Sequence, residues 1–125
     1  MGHLATQHYM AIFDVASFHF LARMGPGVRY FAIRGLGWAD VRHEIDYRQE
    51  VRAGELLTVR TGLVRRGRTS VQYRHVMTGE DGSVRAEMRA VSVHFDLKRR
   101  VALPLPEVSS LRRRLRQIPT RRRRQ

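Results

Sequence analysis

Cysteine is absent from this 125-residue chain, so disulfides, thiolate nucleophiles and cysteine-ligated zinc or iron–sulfur centres are excluded together. Lysine is nearly absent as well: Lys98 stands alone among 24 basic residues. Such heavy use of arginine reflects codon bias as readily as selection for phosphate-binding forks, and it carries no functional argument. No stretch approaches the roughly 18 consecutive apolar residues of a membrane span, and no basic region near the N-terminus leads into an uninterrupted apolar run. These absences predict a soluble, unexported, cytoplasmic protein. Acidic residues are also scarce, 11 against the 24 basic ones, for a net charge of +13.

That charge is unevenly distributed. Residues 111–125 hold eight arginines and no acid, which leaves 16 basic and 11 acidic residues in 1–110, a body charge of +5. The sequence therefore divides into one domain over 1–110 and an arginine-rich tail over 111–125. Leu111, Leu115 and Ile118 recur at helical spacing in the tail, as a basic amphipathic helix requires, while Pro119 and the run Arg121–Arg124 favour a solvated end. Salt-sensitive, sequence-indifferent contact with nucleic acid is the most that such a tail offers.

What the body does contain is period. From Tyr9 to Met24, apolar residues at Tyr9, Phe13, Ala16, Phe20 and Met24 recur every three or four positions, with Met10, Ile12 and Leu21 widening the stripe. This predicts a helix apolar around most of its circumference, with Thr6 as N-cap and Gly25-Pro26-Gly27 as its stop. After Gly35 and Gly37 the period falls to two, giving strands over Trp38–Tyr47, Glu55–Arg65, Thr69–Met77 and Ser83–Leu97. Leu57, Val59, Thr61 and Leu63 share one face, Val71, Tyr73, His75 and Met77 another, and Val91, Val93, Phe95 and Leu97 a third. Gly67 and Gly79-Glu80-Asp81-Gly82 mark the turns. The expectation is an α+β domain in which one apolar helix packs on four antiparallel strands in meander order. The remaining sheet face and the sheet edges favour association with a second copy, as a homodimer or homotetramer.

Gly2, His3 and Tyr9, followed by Phe13-Asp14-Val15-Ala16, are spaced as in a known opening. With Val41-Arg42-His43-Glu44-Ile45-Asp46-Tyr47, Ala53-Gly54-Glu55, Arg66-Gly67-Arg68-Thr69-Ser70 and the exit Pro104-Leu105-Pro106, the chain resembles the hotdog-fold thioesterases of the 4-hydroxybenzoyl-CoA thioesterase type over residues 2–108. The resemblance implies a long central helix wrapped by an antiparallel sheet. It also implies hydrolysis of an acyl-CoA thioester to a carboxylic acid and coenzyme A, with no cofactor. The family opening reads Asp-x-x-Gly-His-x-Asn-Asn-x-x-Tyr, so its catalytic aspartate and its first strand fall ahead of Met1. The expectation is therefore either a start placed at an internal methionine or a chain lacking that carboxylate.

Thioester hydrolysis needs a carboxylate that attacks the carbonyl or activates water, and donors for the developing oxyanion. By the resemblance His3 orients water or binds the acyl group. Asp14, the one carboxylate on the helix, is the internal substitute, with an ordinary structural hydrogen bond as the competing reading. Backbone N–H groups over Thr6 to Tyr9 supply the donors, the Tyr9 side chain lines the acyl pocket, and Arg66, Gly67, Arg68 and Ser70 hold the coenzyme A phosphates. The other histidines show no ligand spacing, so no metal site is expected. Glu44 and Asp46 share a strand face and read as ion-pair partners of nearby arginines. The alternative function is a non-catalytic hotdog module that binds acyl-CoA or acyl carrier protein.

Overall fold

The computed structural model describes residues 4–24, 28–105 and 118–123. Helix α1 (Thr6–Ala22) is followed by a short α2 (Val28–Arg34) and by β1 (Leu36–Tyr47), β2 (Leu56–Arg66), β3 (Ser70–Thr78) and β4 (Val84–Asp96), then by β5 (Val101–Ala102) and β6 (Ile118–Arg123). α1 forms because its apolar stripe is unbroken by glycine or proline. Tyr9, Ile12, Phe13, Ala16, Phe20 and Leu21 are all buried, and they lie on the face turned to the sheet. The helix begins at Thr6 itself, so Ala5 takes the N-cap position and makes no side-chain bond. The expected Thr6 cap is corrected accordingly. The entry is instead held from outside the helix, where the Leu4 N–H donates to the Val51 carbonyl at 2.8 Å.

The strands form one antiparallel sheet in the order β1-β4-β3-β2-β6, with β5 alongside β4. β2, β3 and β4 follow one another as a meander, closed at the β3–β4 turn by Gly82 with φ +83°. β1 departs from the meander expectation: it lies beyond β4 instead of beside β2. The connection over 48–55 spans the intervening strands, secured where the N–H groups of Arg48 and Gln49 both donate to the Arg85 carbonyl and where Val51 enters the core. Glu87 on β4 pairs with Arg48 at 2.7 Å and with Arg74, holding the same end of the sheet.

The helix side of the sheet carries the predicted faces of β2 and β3: Leu57, Val59, Thr61, Val71, Tyr73, His75 and Met77 are buried. On β4 the phase is the reverse of the one expected. Ala86, Met88, Ala90, Ser92 and His94 face inward, while Val91, Val93 and Phe95 are half-buried on the other side and Leu97 lies past the strand, exposed. Small and polar side chains on the inner face leave room for the large rings above them, since Phe20 meets Tyr73 at 4.8 Å and Phe13 stacks on His75 at 5.7 Å. In the tail, Ile118–Arg123 runs as a strand along the free edge of β2, from Leu56↔Arg123 to Thr61↔Ile118, in place of the helix or solvated end expected there. Residues 111–117 lie outside the described residues.

Candidate active site

Between α1 and the first half of β1 the surface opens into a cleft of about 340 Å3. α1 contributes Asp14, Ser17, Phe18 and Leu21, which stand at i, i+3, i+4 and i+7 and so form one face of the helix. β1 contributes Trp38 and Asp40, two residues apart and hence on the same side of the strand. Phe31 of α2 closes the end, with its ring centroid 6.0 Å from that of Trp38. Asp14 and Asp40 are exposed, whereas Ser17 is buried in the wall.

Behind this cleft runs a set of buried polar side chains that an apolar core would not contain by default. Thr61 and His75 are cross-strand partners, with Thr61 Oγ1 2.6 Å from His75 Nδ1. The opposite ring nitrogen, Nε2, lies 2.8 Å from Ser17 Oγ. The Ser17 hydroxyl also favours the charged form of the Tyr73 hydroxyl against the effect of burial, and the Tyr73 hydroxyl lies 2.9 Å from Ser92 Oγ. Ser92 Oγ donates to Asp40 Oδ1 at 2.9 Å across the directly opposed pair Asp40↔Ser92. A bulge interrupts β1 between Asp40 and Arg42. Burial, reinforced by His43, lowers the pKa of His75 to about 4, and burial raises that of Tyr73. His75 is therefore neutral and Tyr73 a phenol at pH 7.

Of the residues singled out from sequence, Asp14 lies in this cleft. His3 is outside the described residues. Thr6 is exposed on the first turn of α1, and Tyr9 is buried in the core, its hydroxyl 3.4 Å from the Gln49 carbonyl and its ring edge-on to Tyr47 at 5.0 Å. Gly67 and Ser70 line a separate hollow of about 290 Å3 at the β2–β3 turn, which shares no lining residue with the cleft. Arg66 and Arg68 flank Gly67 there and are exposed. Among the described residues no group of three His, Asp or Glu side chains is placed to hold a metal. Sequence reasoning missed Ser17, Asp40 and Ser92. For Ser17 and Ser92 the signal was polarity at positions whose helix or strand neighbours are core residues; Asp40 carried none.

The model of the thioesterase-like superfamily matches residues 1–115. No curated protein matches the sequence. Among solved structures, a probable thioesterase of Escherichia coli is 25% identical, with a TM-score of 0.75 over 91% of this chain and 84% of its own. A Staphylococcus aureus protein solved in complex with CoA is 16% identical, with a TM-score of 0.82 over 91% of this chain and 71% of its own. A gentisyl-coenzyme A thioesterase is 22% identical, with a TM-score of 0.75 over 89% of this chain and 87% of its own.

Proposed function

Because the chain belongs to the thioesterase-like superfamily and has the α+β hotdog fold, we propose that it hydrolyses an acyl-CoA thioester to a carboxylic acid and coenzyme A. The observation that carries this reading is the cleft, in which a carboxylate on the helix faces apolar walls of Phe18, Leu21, Phe31 and Trp38. Apolar walls suit an acyl group and exclude competing water, and a carboxylate at the mouth suits the attack. Asp14 takes the proton of the attacking water. The water oxygen bonds the carbonyl carbon, the carbon–sulfur bond breaks, and the thiolate leaves with the proton Asp14 received. Thr6 brings a backbone donor of the first helical turn, and His3 the water or acyl contact. Arg66, Gly67, Arg68 and Ser70 hold the phosphates of coenzyme A, as the CoA-bound and CoA-acting relatives support.

The test follows thiol release from a panel of acyl-CoA substrates with the full chain. Asp14→Asn is expected to lower kcat roughly 100-fold with KM little changed. Arg68→Ala is expected to raise KM several-fold and leave kcat in place. Binding of coenzyme A with no turnover of any panel member would instead select the non-catalytic module, which the relatives do not favour.

The working unit is a homodimer or homotetramer. β1 is an edge strand whose outer side has no partner among the described residues, and it exposes Val41 and Tyr47, 58% and 50% accessible. Sedimentation should give an even multiple of the chain mass, and a monomer at micromolar concentration would remove this part of the reading. No helix among the described residues is long and apolar enough to cross a membrane. The reading carries a cytoplasmic location with it, as the cysteine-free composition suggested, and leaves nucleic acid at most a weak, salt-sensitive contact through the arginine tail.

A further inference from the structure

The cleft holds a second carboxylate that sequence reasoning did not single out, and the buried polar chain ends on it. We infer that Asp40 is the positioning residue for the hydrolytic water, held in place by the relay Thr61–His75–Ser17–Tyr73–Ser92. This inference rests on the thioesterase reading and deepens it by naming the partner that Asp14 works with.

The direction of every hydrogen bond in the relay follows from counting hydrogens. A carboxylate only accepts, so Ser92 spends its one hydroxyl hydrogen on Asp40 Oδ1. The Tyr73 hydroxyl must then donate to Ser92, and Ser17, which favours the charged form of Tyr73, is assigned as the donor to it. Ser17 has no hydrogen left for His75, so Nε2 of the ring carries the proton and donates to Ser17. A neutral ring protonated at Nε2 offers a lone pair at Nδ1, and Thr61 donates to it. Five side chains drawn from α1, β2, β3 and β4 thus point their donors toward one carboxylate on β1. Four of them, Thr61, His75, Tyr73 and Ser92, are at most 1% exposed, so the arrangement is fixed by packing rather than by solvent.

Asp40 itself is open to the cleft. The bulge that follows it bends β1 at this point, the usual device for re-aiming a strand side chain. One of its oxygens is engaged by Ser92, which leaves the other to accept from a water. Asp14, across the mouth, bonds no described side chain and is free to accept the second hydrogen. A water held by two acceptors turns its lone pair outward, toward a thioester carbonyl lying in the apolar part of the cleft. On attack Asp14 receives the proton and Asp40 keeps the remaining O–H oriented, so the atom balance of the hydrolysis is unchanged.

The experiment pairs kinetics with nitrogen NMR of the full chain. Asp40→Asn is expected to lower kcat roughly 100-fold, with KM within threefold, because orientation of water and not binding of substrate is lost. Ser92→Ala, which frees Asp40 but leaves it charged, is expected to lower kcat about tenfold. In the wild type the His75 ring should be the pure Nε2–H tautomer, and in Asp40→Ala, where nothing imposes direction, a mixture of tautomers. Wild-type turnover that Asp14→Asn abolishes and Asp40→Asn leaves within threefold would overturn this inference while sparing the thioesterase reading. An Nδ1–H tautomer in the wild type would overturn the relay. A wild type that hydrolyses no acyl-CoA would overturn both readings together. Thermal midpoints of the variants near that of the wild type show that the kinetic losses are not losses of fold.

Discussion

Phe20→Ala should destabilise the chain by about 3–5 kcal/mol, a large share of the stability expected for a domain of this size. Phe20 is fully buried, sits at the centre of the helix–sheet contact and packs its ring on Tyr73, 4.8 Å between centroids. Alanine removes the apolar area and leaves a cavity that cannot collapse. On one side stands a helix whose position is set by Phe13, Ala16 and Leu21, and on the other a sheet held by its hydrogen bonds. Urea denaturation would show the midpoint falling with an unchanged slope, and heating a midpoint lower by about 15 °C. A loss under about 1 kcal/mol would mean that α1 does not pack on the sheet in this register. The effect reaches the site as well, because the turn that carries Phe20 lies between Ser17 and Leu21, both in the cleft wall.

The helix and three of the strands were legible because their periods are local. Phe13, Ala16 and Phe20 announce a helical face within a dozen residues, and Leu57 to Leu63 or Val71 to Met77 announce a sheet face within seven. The place of β1 was not legible, since its pairing with β4 joins Leu36 to Asp96 across almost half of the chain. Nor was the phase of β4. Val91, Val93 and Phe95 are the more apolar set, yet the narrow space beneath Phe20, Phe13 and Trp38 takes Ala86, Ala90 and Ser92 instead. Hydrophobicity ranks the two faces of a strand, but the shape of the opposing layer chooses between them.

Half of the candidate site follows from the same logic. Asp14 could be found because a carboxylate on an otherwise apolar helix is conspicuous. Asp40 could not, because an acidic residue in an edge strand looks like any solvated one until its neighbour Ser92 is seen to lie inside. The clue available in sequence was that Thr61 and His75 interrupt the inward faces of two consecutive strands. Polar residues at such positions must find partners, and here they find each other across the β2–β3 ladder.

The stability of the chain should fall by about 2 kcal/mol between pH 7.5 and pH 5, and His75 is the cause. In the fold, burial first and the nearby charge of His43 second lower its pKa to about 4 from an ordinary value of 6.5. A depressed histidine is neutral in the native state while the unfolded chain takes up a proton. Between pH 6.5 and about 4 the unfolded state therefore binds more protons, and stability rises with pH through that window and levels off above it. Carboxylates such as Glu87, held low by Arg74 and Arg48, add their own loss only at lower pH, so the interval from 7.5 to 5 isolates the histidine. Urea midpoints measured across it should slope in the wild type and lie flat in His75→Gln, which keeps polar atoms at the position but cannot titrate there. Equal slopes in the two proteins would assign the effect elsewhere. Protonation would also place a hydrogen on Nδ1, where Thr61 now donates. Thr61 would then have to turn its own hydrogen away and accept from the ring, which reverses the direction of the bond at the far end of the relay. In the folded chain that protonation waits for a pH near 4, so the relay that holds Asp40 should stay intact while stability falls, and activity should decline only as pH approaches 4.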